Sequence, residues 1–376
     1  MASSSGSKIG IVIHANALLF SNGITQNAYF LYQCLLHCGY ICEFLCSEPN
    51  PAPFQYKNIP LRQISTDRDI FNPESYSLIL TMTRSLTKDQ YTMFKKHNIQ
   101  VISVVCGNHM MQDQEAFVHG LKCASFSGRA ETYDEIWTIP SLWRYKGYFE
   151  TLKKVPVYKI PHLWHPCILQ DRAKLLSNVN QSDLIYDCAK HTGEQIDIII
   201  MEPNLGFVKN SWMPIIASEC FYMRYPDLVN NVFVFNFPEN PNSVSMIQTL
   251  KLGKKLRQFK RLEMDQILKH FSKQKTIPVF LTHHNNNHLN YLFYEVLYYG
   301  YPLVHNSDML DDCGYFYTDN DIDSCAAAIY KAYEHNKNVD YNRKSMEFLE
   351  TVNPCNILVC NTINELCKKS LESVSK

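Results

Sequence analysis

Glu295 and His109 are the residues whose types and positions point most directly to chemistry. Glu295 is the one carboxylate in the otherwise apolar helical pattern NYLFYEVLYYG, and burying a carboxylate is costly unless something uses it. The two hydroxyls of a ribose would be such a user. His109 follows the strand pattern VISVV, and an imidazole, whose pKa lies near neutrality, could take a proton from a hydroxyl, with Asp113 to orient or replace it. The plain alternatives are a structural acid at 295 and an ordinary loop histidine at 109.

A second polar cluster, SNGITQN, stands between the first strand pattern and the first helical pattern. Gly23 permits close approach of a ligand to the backbone. The free N–H groups at the start of the following helix attract anions and hydroxyl-rich ligands. The cluster lacks the G-x-G-x-x-G spacing of dinucleotide-binding proteins, and an ordinary turn capped by Thr25 is the alternative.

Strand and helix patterns alternate along the chain, which is typical of parallel sheets covered by helices. In the first half the predicted strands are 8–14, 41–47, 77–83, 100–106, 135–139 and 155–160, and the predicted helices are 25–38, 88–97 and 142–153. A second series starts with the strand QIDIIIMEPN, and a long basic helix is expected over 243–271. We predict an α/β fold of two similar halves, with a linker at 168–194 and two last helices broken near Pro354.

Residues 276–307 resemble the nucleotide-sugar-binding half of glycosyltransferases of the GT-B class. The match consists of a strand, a polar loop and a helix carrying Glu295, followed by Gly300, Pro302 and the strand Leu303–Val304. The resemblance implies two Rossmann-like doubly wound domains facing a cleft, with ligands at the carboxyl ends of the strands.

The resemblance also implies a division of the chain into three parts. Residues 1–190 would form the acceptor-side domain, and residues 191–340 the nucleotide-sugar-binding domain. The helices in 341–376 would pack back towards the first domain.

The same resemblance assigns roles to individual residues. Retaining members hold the donor diphosphate with a lysine in the place of Lys209, where a helix N-terminus adds to the attraction for phosphate. Asn287 stands where retaining members have a second glutamate, so retention and inversion both stay open. An inverting reaction would use His109 or Asp113 as its base. The expected donor-binding residues are Glu202, Asn204, Lys209, Asn210, His284, Asn287, Asn290 and Glu295. The expected acceptor-side residues are Asn22, Gly23, Gln26 and Asn108.

A longer resemblance is to a little-described group of glycosyltransferase-like proteins from bacteria and large DNA viruses. The runs that carry it include GITQNAYFLYQCLLHCGY, DEIWTIPSLW and MEPNLGFVKNSWMPIIASECFY, and they cover most of the chain from about residue 20 to 340. This resemblance implies a role in glycan biosynthesis and a possible viral source.

Residues and resemblance together predict an enzyme. It would be a hexosyl- or pentosyltransferase that moves a sugar from a UDP- or GDP-linked donor to a hydroxyl of a glycan or glycoprotein. No metal or other cofactor is expected, because lysine and helix dipoles can neutralise the leaving diphosphate and no convincing D-x-D motif is present. The alternatives are a sugar-nucleotide epimerase and a non-catalytic carbohydrate-binding or scaffold subunit with a decayed donor site.

Composition narrows the class further. Lys+Arg and Asp+Glu number 36 each, so no global field favours nucleic acid, and no apolar run approaches the ~20 residues of a transmembrane segment. The 14 cysteines suit a reducing compartment. We therefore expect a cytoplasmic protein, in the host cytoplasm if it is virus-encoded.

Two patterns could suggest a metal. Cys34, Cys38, Cys42 and Cys46 are spaced four apart, but a glycine at 39 interrupts the helix, so core thiols are the favoured interpretation. His284 and His288 are also four apart, with no evident third ligand nearby.

Overall fold

The computed structural model describes residues 7–14, 19, 23–49, 56–57, 59–123, 132–175, 180–310, 312–335 and 339–373. The chain divides into two compact units. The first is Met1–His165 together with Thr351–Lys376, and the second is Pro166–Glu350.

The first unit is built on a seven-stranded parallel sheet. Its strands are β1 (Lys8–Ile13), β2 (Ile41–Cys46), β3 (Leu61–Gln63), β4 (Leu78–Thr81), β5 (Gln100–Val105), β6 (Glu135–Thr138) and β7 (Val157–Lys159). They lie in the order β3-β2-β1-β4-β5-β6-β7. The order reverses at β1, which pairs with both β2 and β4, and ligands of such sheets bind where the order reverses.

The second unit is built on a six-stranded parallel sheet. Its strands are β8 (Ile196–Ile200), β9 (Val229–Phe235), β10 (Leu256–Phe259), β11 (Ile277–Leu281), β12 (Leu303–His305) and β13 (Tyr315–Phe316). They lie in the order β10-β9-β8-β11-β12-β13. Every residue of β8 and β11 is buried, as expected of strands in the middle of a covered parallel sheet.

The described residues form twelve α-helices. They are α1 (Gly23–His37), α2 (Lys88–Lys96), α3 (His109–Val118), α4 (Lys146–Lys153), α5 (Cys167–Leu175), α6 (Trp212–Arg224), α7 (Pro241–Thr249), α8 (Met264–Phe271), α9 (Tyr291–Tyr298), α10 (Ile322–Glu334), α11 (Val339–Thr351) and α12 (Ile357–Ser373). The fold is α/β in both units, as the alternating patterns predict.

Local sequence explains where α9 ends. Gly300 has a φ of 75°, the left-handed conformation that glycine adopts without strain. The N–H of Tyr301 donates to the carbonyl of Val296 at 3.2 Å, and the N–H of Gly300 donates to the carbonyl of Leu297 at 3.0 Å. These two bonds close the helix in a Schellman motif and turn the chain into β12.

Helix α12 packs in the first unit, although it lies at the end of the chain. The hydroxyl of Tyr40 donates to Oδ1 of Asn364 at 2.8 Å. The sulfur atoms of Cys34 in α1 and Cys360 in α12 lie 3.9 Å apart. Helix α11 belongs to the second unit, so the two helices on either side of Pro354 are divided between the units.

Three expectations need correction. The long helix expected over 243–271 is instead α7, the edge strand β10 and α8. The region 168–194, expected as a linker, contains most of α5 and groups with the second unit, which therefore starts before residue 191. Helix α5 groups with the second unit because it packs against α8, where Nε of Arg172 in α5 forms a 2.9 Å ion pair with Asp265. Strand β3 and helix α3 did not emerge from the sequence patterns.

Candidate functional site

The carboxyl ends of three neighbouring strands in the second sheet carry a connected set of polar residues. Glu202 follows β8, His283 and His284 follow β11, and Asn306 follows β12. Because β8, β11 and β12 are adjacent, their polar ends meet at one edge of the sheet. This edge is where α/β sheets bind ligands.

Glu202 and His284 form the buried centre of this edge. Their side chains are 0% and 1% exposed, and Nε2 of His284 lies 3.0 Å from Oε2 of Glu202. The other carboxylate oxygen of Glu202 accepts a bond from the backbone N–H of His283 at 3.2 Å. Asn306 fixes the backbone of His284 from both sides, accepting from its N–H and donating to its carbonyl at 3.0 Å each.

Lys209 lies beside this pair. Its backbone pairs with that of His284, and the next residue, Asn285, donates its N–H to the carbonyl of Val208 at 2.9 Å. Burial lowers the pKa of Lys209, and the charge of Glu202 partly opposes that effect. Lys209 therefore carries a half-buried ammonium just before α6, which starts at Trp212.

Asn204 and Asn210 shape the loop that presents Lys209. The side chain of Asn204 donates to the carbonyls of Glu202 and Asn236, and it accepts from the N–H and the hydroxyl of Ser211. Asn210 donates to the carbonyl of Phe207 and accepts from the N–H of Trp212. Both amides are engaged within the protein, so their contribution to a ligand would be to position Lys209.

Asn287 and Asn290 follow the histidines at the same edge. Asn290 caps α9 through its Oδ1, and its Nδ2 lies 3.2 Å from Nε2 of His284. Asn287 is 5% exposed. Within the described part of the chain, its side-chain NH2 group has no hydrogen-bond partner. A buried amide without a partner is costly, and a ligand hydroxyl would satisfy it.

The charged neighbours of Glu295 differ from those of Lys209. Burial raises its pKa to about 8, helped by Glu263 and Asp265 and opposed by Arg172 and Arg261. These neighbours lie in α5, in α8 and in the segment just before α8. The donor-binding residues expected from sequence thus fall into two groups, one around Lys209 and one around Glu295.

The first unit contains a cavity of about 620 Å³, and of the two catalytic candidates only His109 lines it. His109 starts α3 and lines it, and Asn108 caps that helix by accepting from the N–H of Met111 at 3.1 Å. Burial lowers the pKa of His109. The charge of Asp113 opposes this effect, and the charge of Lys153 adds to it. The hydroxyl of Tyr148 donates to Asp113 at 2.5 Å. His109 is therefore mostly neutral at pH 7, the form that can accept a proton.

The start of α1 adjoins this cavity through Ile24. Gly23 is the first residue of α1. The side chain of Gln26 donates to the carbonyl of Leu19 at 3.1 Å. Asn22 lies outside the described residues.

Sequence reasoning missed several residues that lie beside the expected donor-binding residues of the second unit. Tyr317 donates to the carbonyl of Thr282 at 2.8 Å and lies 3.0 Å from Nδ1 of His283. Arg172 and Arg261, which lie near Glu295, were missed because their segments were predicted to be a linker and a helix. Asn306 could have been predicted from the sequence, because it directly follows a strand pattern, as the histidines do.

The four cysteines that are spaced four apart in the sequence do not form one cluster in the structure. The sulfur atoms of Cys34 and Cys38 lie within 4.8 Å of each other and of the sulfur atom of Cys360 from α12. Thiolates are ligands of soft metals. Cys42 and Cys46 lie in β2, the strand predicted over 41–47. No helix among the described residues has the length and apolarity to cross a bilayer.

Two parallel sheets with interleaved helices, each with polar residues at its carboxyl edge, define the GT-B fold, and solved structures confirm it. Sucrose-phosphate synthase from Thermosynechococcus elongatus is 11% identical, with a TM-score of 0.56 over 98% of this chain and 100% of that one. The lipopolysaccharide outer core galactosyltransferase WaaB is 8% identical, with a TM-score of 0.58 over 96% of this chain and 99% of that one. An alpha-glucosyltransferase in complex with UDP is 13% identical, with a TM-score of 0.53 over 98% and 100%.

The chain belongs to the family described as protein of unknown function DUF2827, whose model matches residues 8–366. A search of curated protein sequences found no match.

Proposed function

We propose that this protein is a glycosyltransferase that moves a sugar from a nucleotide-diphosphate donor to a hydroxyl of an acceptor. The observation that carries the proposal is the half-buried ammonium of Lys209 beside the buried Glu202–His284 pair. Among the described residues this ammonium has Glu202 as an electrostatic neighbour but no ion pair. A diphosphate would supply the anion that its position lacks.

The donor would bind to the second unit in two parts. Its diphosphate would contact Lys209 and the start of α6, where the helix dipole also favours negative charge. Its ribose would contact Glu295, and a carboxyl group that is largely protonated at neutral pH can donate to one hydroxyl and accept from the other. The unpartnered amide of Asn287 would donate to a hydroxyl of the transferred sugar.

The acceptor would bind to the first unit, near Gly23, Gln26 and His109. We assign the base to His109, with Asp113 orienting it. The acceptor oxygen attacks the anomeric carbon of the sugar, its proton passes to the His109 imidazole, and the bond from that carbon to the diphosphate breaks. Attack by an activated hydroxyl in one step inverts the anomeric configuration, whereas transfer with retention would need no protein base.

In this proposal Lys209 stabilises the negative charge of the leaving diphosphate. Negative charge on the departing diphosphate grows in the transition state, and a fixed cation in a half-buried site stabilises that charge strongly. On this account no metal ion is needed, and the donor is a substrate rather than a resident cofactor. The proposed setting is the synthesis of a glycan or glycoconjugate in the cytoplasm.

The experiment is a product assay with the full chain. UDP- and GDP-linked sugars are incubated with the protein, with and without a panel of hydroxyl acceptors, and products are identified by mass. Release of the nucleoside diphosphate together with a glycosylated acceptor supports the proposal. An isomerised sugar nucleotide formed without acceptor would mean an epimerase. If no product forms and no nucleotide binds, the protein is a carbohydrate-binding or scaffold subunit.

A further inference from the structure

Three thiol groups of the first unit meet where the end of α1 packs against α12. The sulfur atoms of Cys34, Cys38 and Cys360 all lie within 4.8 Å of one another, and those of Cys34 and Cys360 are 3.9 Å apart. Two thiolates that share one zinc ion lie about 3.8 Å apart, because zinc is tetrahedral and its bonds to sulfur are about 2.3 Å long. Cys34 and Cys360 therefore have the spacing of two ligands of one ion, and the third sulfur lies close to both.

Local structure places Cys34 and Cys38 on one face of a helical turn. The N–H of Cys38 donates to the carbonyl of Cys34 at 2.9 Å, which is the bond of an α-helical turn. The helix ends directly afterwards at Gly39, whose φ is 89°, the left-handed conformation that glycine adopts at the ends of helices. Gly39 therefore separates this pair from the cysteines of β2 and leaves the pair itself intact.

Helix α12 supplies the third thiol. The N–H of Cys360 donates to the carbonyl of Asn356 at 2.9 Å, so Cys360 lies in the first turn of α12. One turn later, Oδ1 of Asn364 accepts a bond from the hydroxyl of Tyr40 at 2.8 Å. This bond holds α12 beside the end of α1 without using any of the thiols, so the three sulfur atoms are positioned before a ligand binds.

The hydrogen bonds of the thiols are weak. Sγ of Cys38 donates to the carbonyl of Cys360 at 3.4 Å, and Sγ of Cys360 donates to the carbonyl of Pro354 at 3.1 Å. A thiol is a weak donor, so these bonds oppose the loss of the protons only slightly. The hydrogen bond between Cys34 and Cys38 lowers the pKa of Cys38, and the same bond together with burial raises the pKa of Cys34. Cys38 therefore ionises first, and a metal ion must displace the protons of the other two thiols.

Charge favours a divalent ion. Three thiolates carry three negative charges, and a divalent cation leaves one of them in a cluster where Cys34 and Cys360 are buried. A monovalent ion such as Cu⁺ would leave two, and uncompensated charge at a buried site is costly. Zinc takes four ligands. Because Cys38 is half-buried, solvent reaches this side of the cluster and a water molecule would complete the four.

We propose that Cys34, Cys38 and Cys360 bind one Zn²⁺ ion through their thiolates, and that this ion cross-links α12 to α1. Each thiol gives up its proton to solvent as it binds, so three protons leave for each ion that enters. The proposed role is structural. None of the three cysteines lines the 620 Å³ cavity, and Cys38 lies just before the start of β2 at Ile41, at the edge of the sheet opposite the one where ligands bind. The zinc site is therefore independent of the proposed sugar transfer.

The test is a metal titration of the full chain, prepared free of metal and kept reduced with a phosphine. The probes are Co²⁺ and Zn²⁺ alone. We expect one equivalent of Co²⁺ to bind with the intense near-ultraviolet absorption of thiolate-to-cobalt charge transfer. Zn²⁺ should abolish this absorption, because zinc binds a given site more tightly than cobalt. Zn²⁺ should also raise the melting temperature, since it binds the folded chain.

Cys38→Ser is the main variant, because Cys38 is half-buried and its replacement by serine should leave the fold intact. It should weaken Zn²⁺ binding about tenfold or more and lose the Co²⁺ absorption. Cys220→Ser is the matched control, because Cys220 is also half-buried but lies in α6 of the second unit. Its affinity for Zn²⁺ should stay within about twofold of wild type.

Alkylation tests the proposal without any substitution. Saturating Zn²⁺ should slow the reaction of Cys38 with iodoacetamide about tenfold or more, because a metal-bound thiolate is a poorer nucleophile than a free one. The rate at Cys220 should not change. Mass analysis of the peptides that contain the two cysteines gives both rates.

Four results would overturn the proposal. They are no thiolate absorption when Co²⁺ is added to the reduced wild type, full Zn²⁺ affinity in Cys38→Ser, an equal loss of affinity in Cys220→Ser, and unchanged alkylation of Cys38 in the presence of Zn²⁺. The first result would mean that the three thiols pack only as small apolar groups of the core.

Discussion

Nε2 of His284 lies 3.0 Å from Oε2 of Glu202, and both side chains are almost completely buried at the carboxyl edge of the second sheet. A buried carboxylate needs partners for its lone pairs, and Glu202 finds them in the His284 ring and the backbone N–H of His283. The pair therefore fixes the loop against which Lys209 is held.

Glu202→Gln should destabilise the protein by about 1–3 kcal/mol. The substitution replaces an acceptor facing His284 with an NH2 donor and removes a charge-assisted hydrogen bond from a buried site. Urea denaturation followed by circular dichroism would measure the loss. The control is Glu239→Gln, an exposed acid of the same unit, which should stay within about 0.5 kcal/mol of wild type. Unchanged stability in Glu202→Gln would show that the pair does not hold the loop.

Glu295→Gln should change how stability depends on pH. The carboxyl group has an ordinary pKa of 4.5, and its pKa in the folded protein is raised to about 8. Between these values the unfolded chain has released a proton that the folded chain keeps, so the free energy of unfolding falls as pH rises. The amide variant lacks this dependence. It should therefore gain stability relative to wild type between pH 5 and pH 8.

Thermal melting across that pH range checks the Glu295 prediction. Glu239→Gln serves again as the exposed control and should give a constant difference from wild type. A constant difference for Glu295→Gln would mean that the carboxyl is ionised and well solvated in the folded protein.

His109→Gln should lower kcat by about 10²–10⁴-fold with little change in KM, the range for loss of a general base. Because burial lowers the pKa of His109 below its ordinary 6.5, the wild-type rate should stay high down to pH 6.5 and fall only below it. His119→Gln, at the other end of α3 and exposed, should leave kcat unchanged. A product with retained configuration, or a kcat for His109→Gln within a few-fold of wild type, would remove His109 from the role of base.

Gly314→Ala should destabilise the second unit by more than about 1 kcal/mol. Gly314 has a φ of 76°, and a Cβ there would lie 2.7 Å from the His305 ring and 2.9 Å from the carbonyl oxygen of Leu303, so both strain and overlap oppose the alanine. Gly147 in α4 has nothing within 4 Å of such a Cβ, so Gly147→Ala should stabilise by about 0.5–1 kcal/mol. Chemical denaturation of the two variants in parallel decides. A neutral Gly314→Ala would contradict the described packing around His305.

Much of the fold could be predicted because each central strand is a short apolar run followed by polar residues. Strand β11 and the end of α9 at Gly300 illustrate this, since period, burial and turn chemistry agree there. Strand β10 was missed because it lies at a sheet edge, where three of its four residues are exposed, so its sequence lacks the apolar run of a buried strand.

The site was predicted in part for a similar reason. Residues directly after strands, such as Glu202 and His284, could be found because the strands that carry them could be found. The neighbours of Glu295 could not, since Arg172 reaches it through the packing of α5, which no local pattern records. Cys34 and Cys360 meet across 326 positions, and nothing in either segment signals the other.

The central claim is that Lys209 binds the donor diphosphate, and calorimetry with paired ligands tests it most directly. UDP and GDP are titrated into the wild type, Lys209→Ala and Lys254→Ala, an exposed lysine of the same unit, and uridine and guanosine are titrated alongside. We predict that one nucleoside diphosphate binds the wild type and that Lys209→Ala weakens it by about 10–100-fold, corresponding to a charged hydrogen bond of roughly 1.5–3 kcal/mol. The matching nucleoside should be unaffected, and Lys254→Ala should behave as wild type. Equal losses for nucleoside and diphosphate, or no binding of either diphosphate to the wild type, would contradict the account.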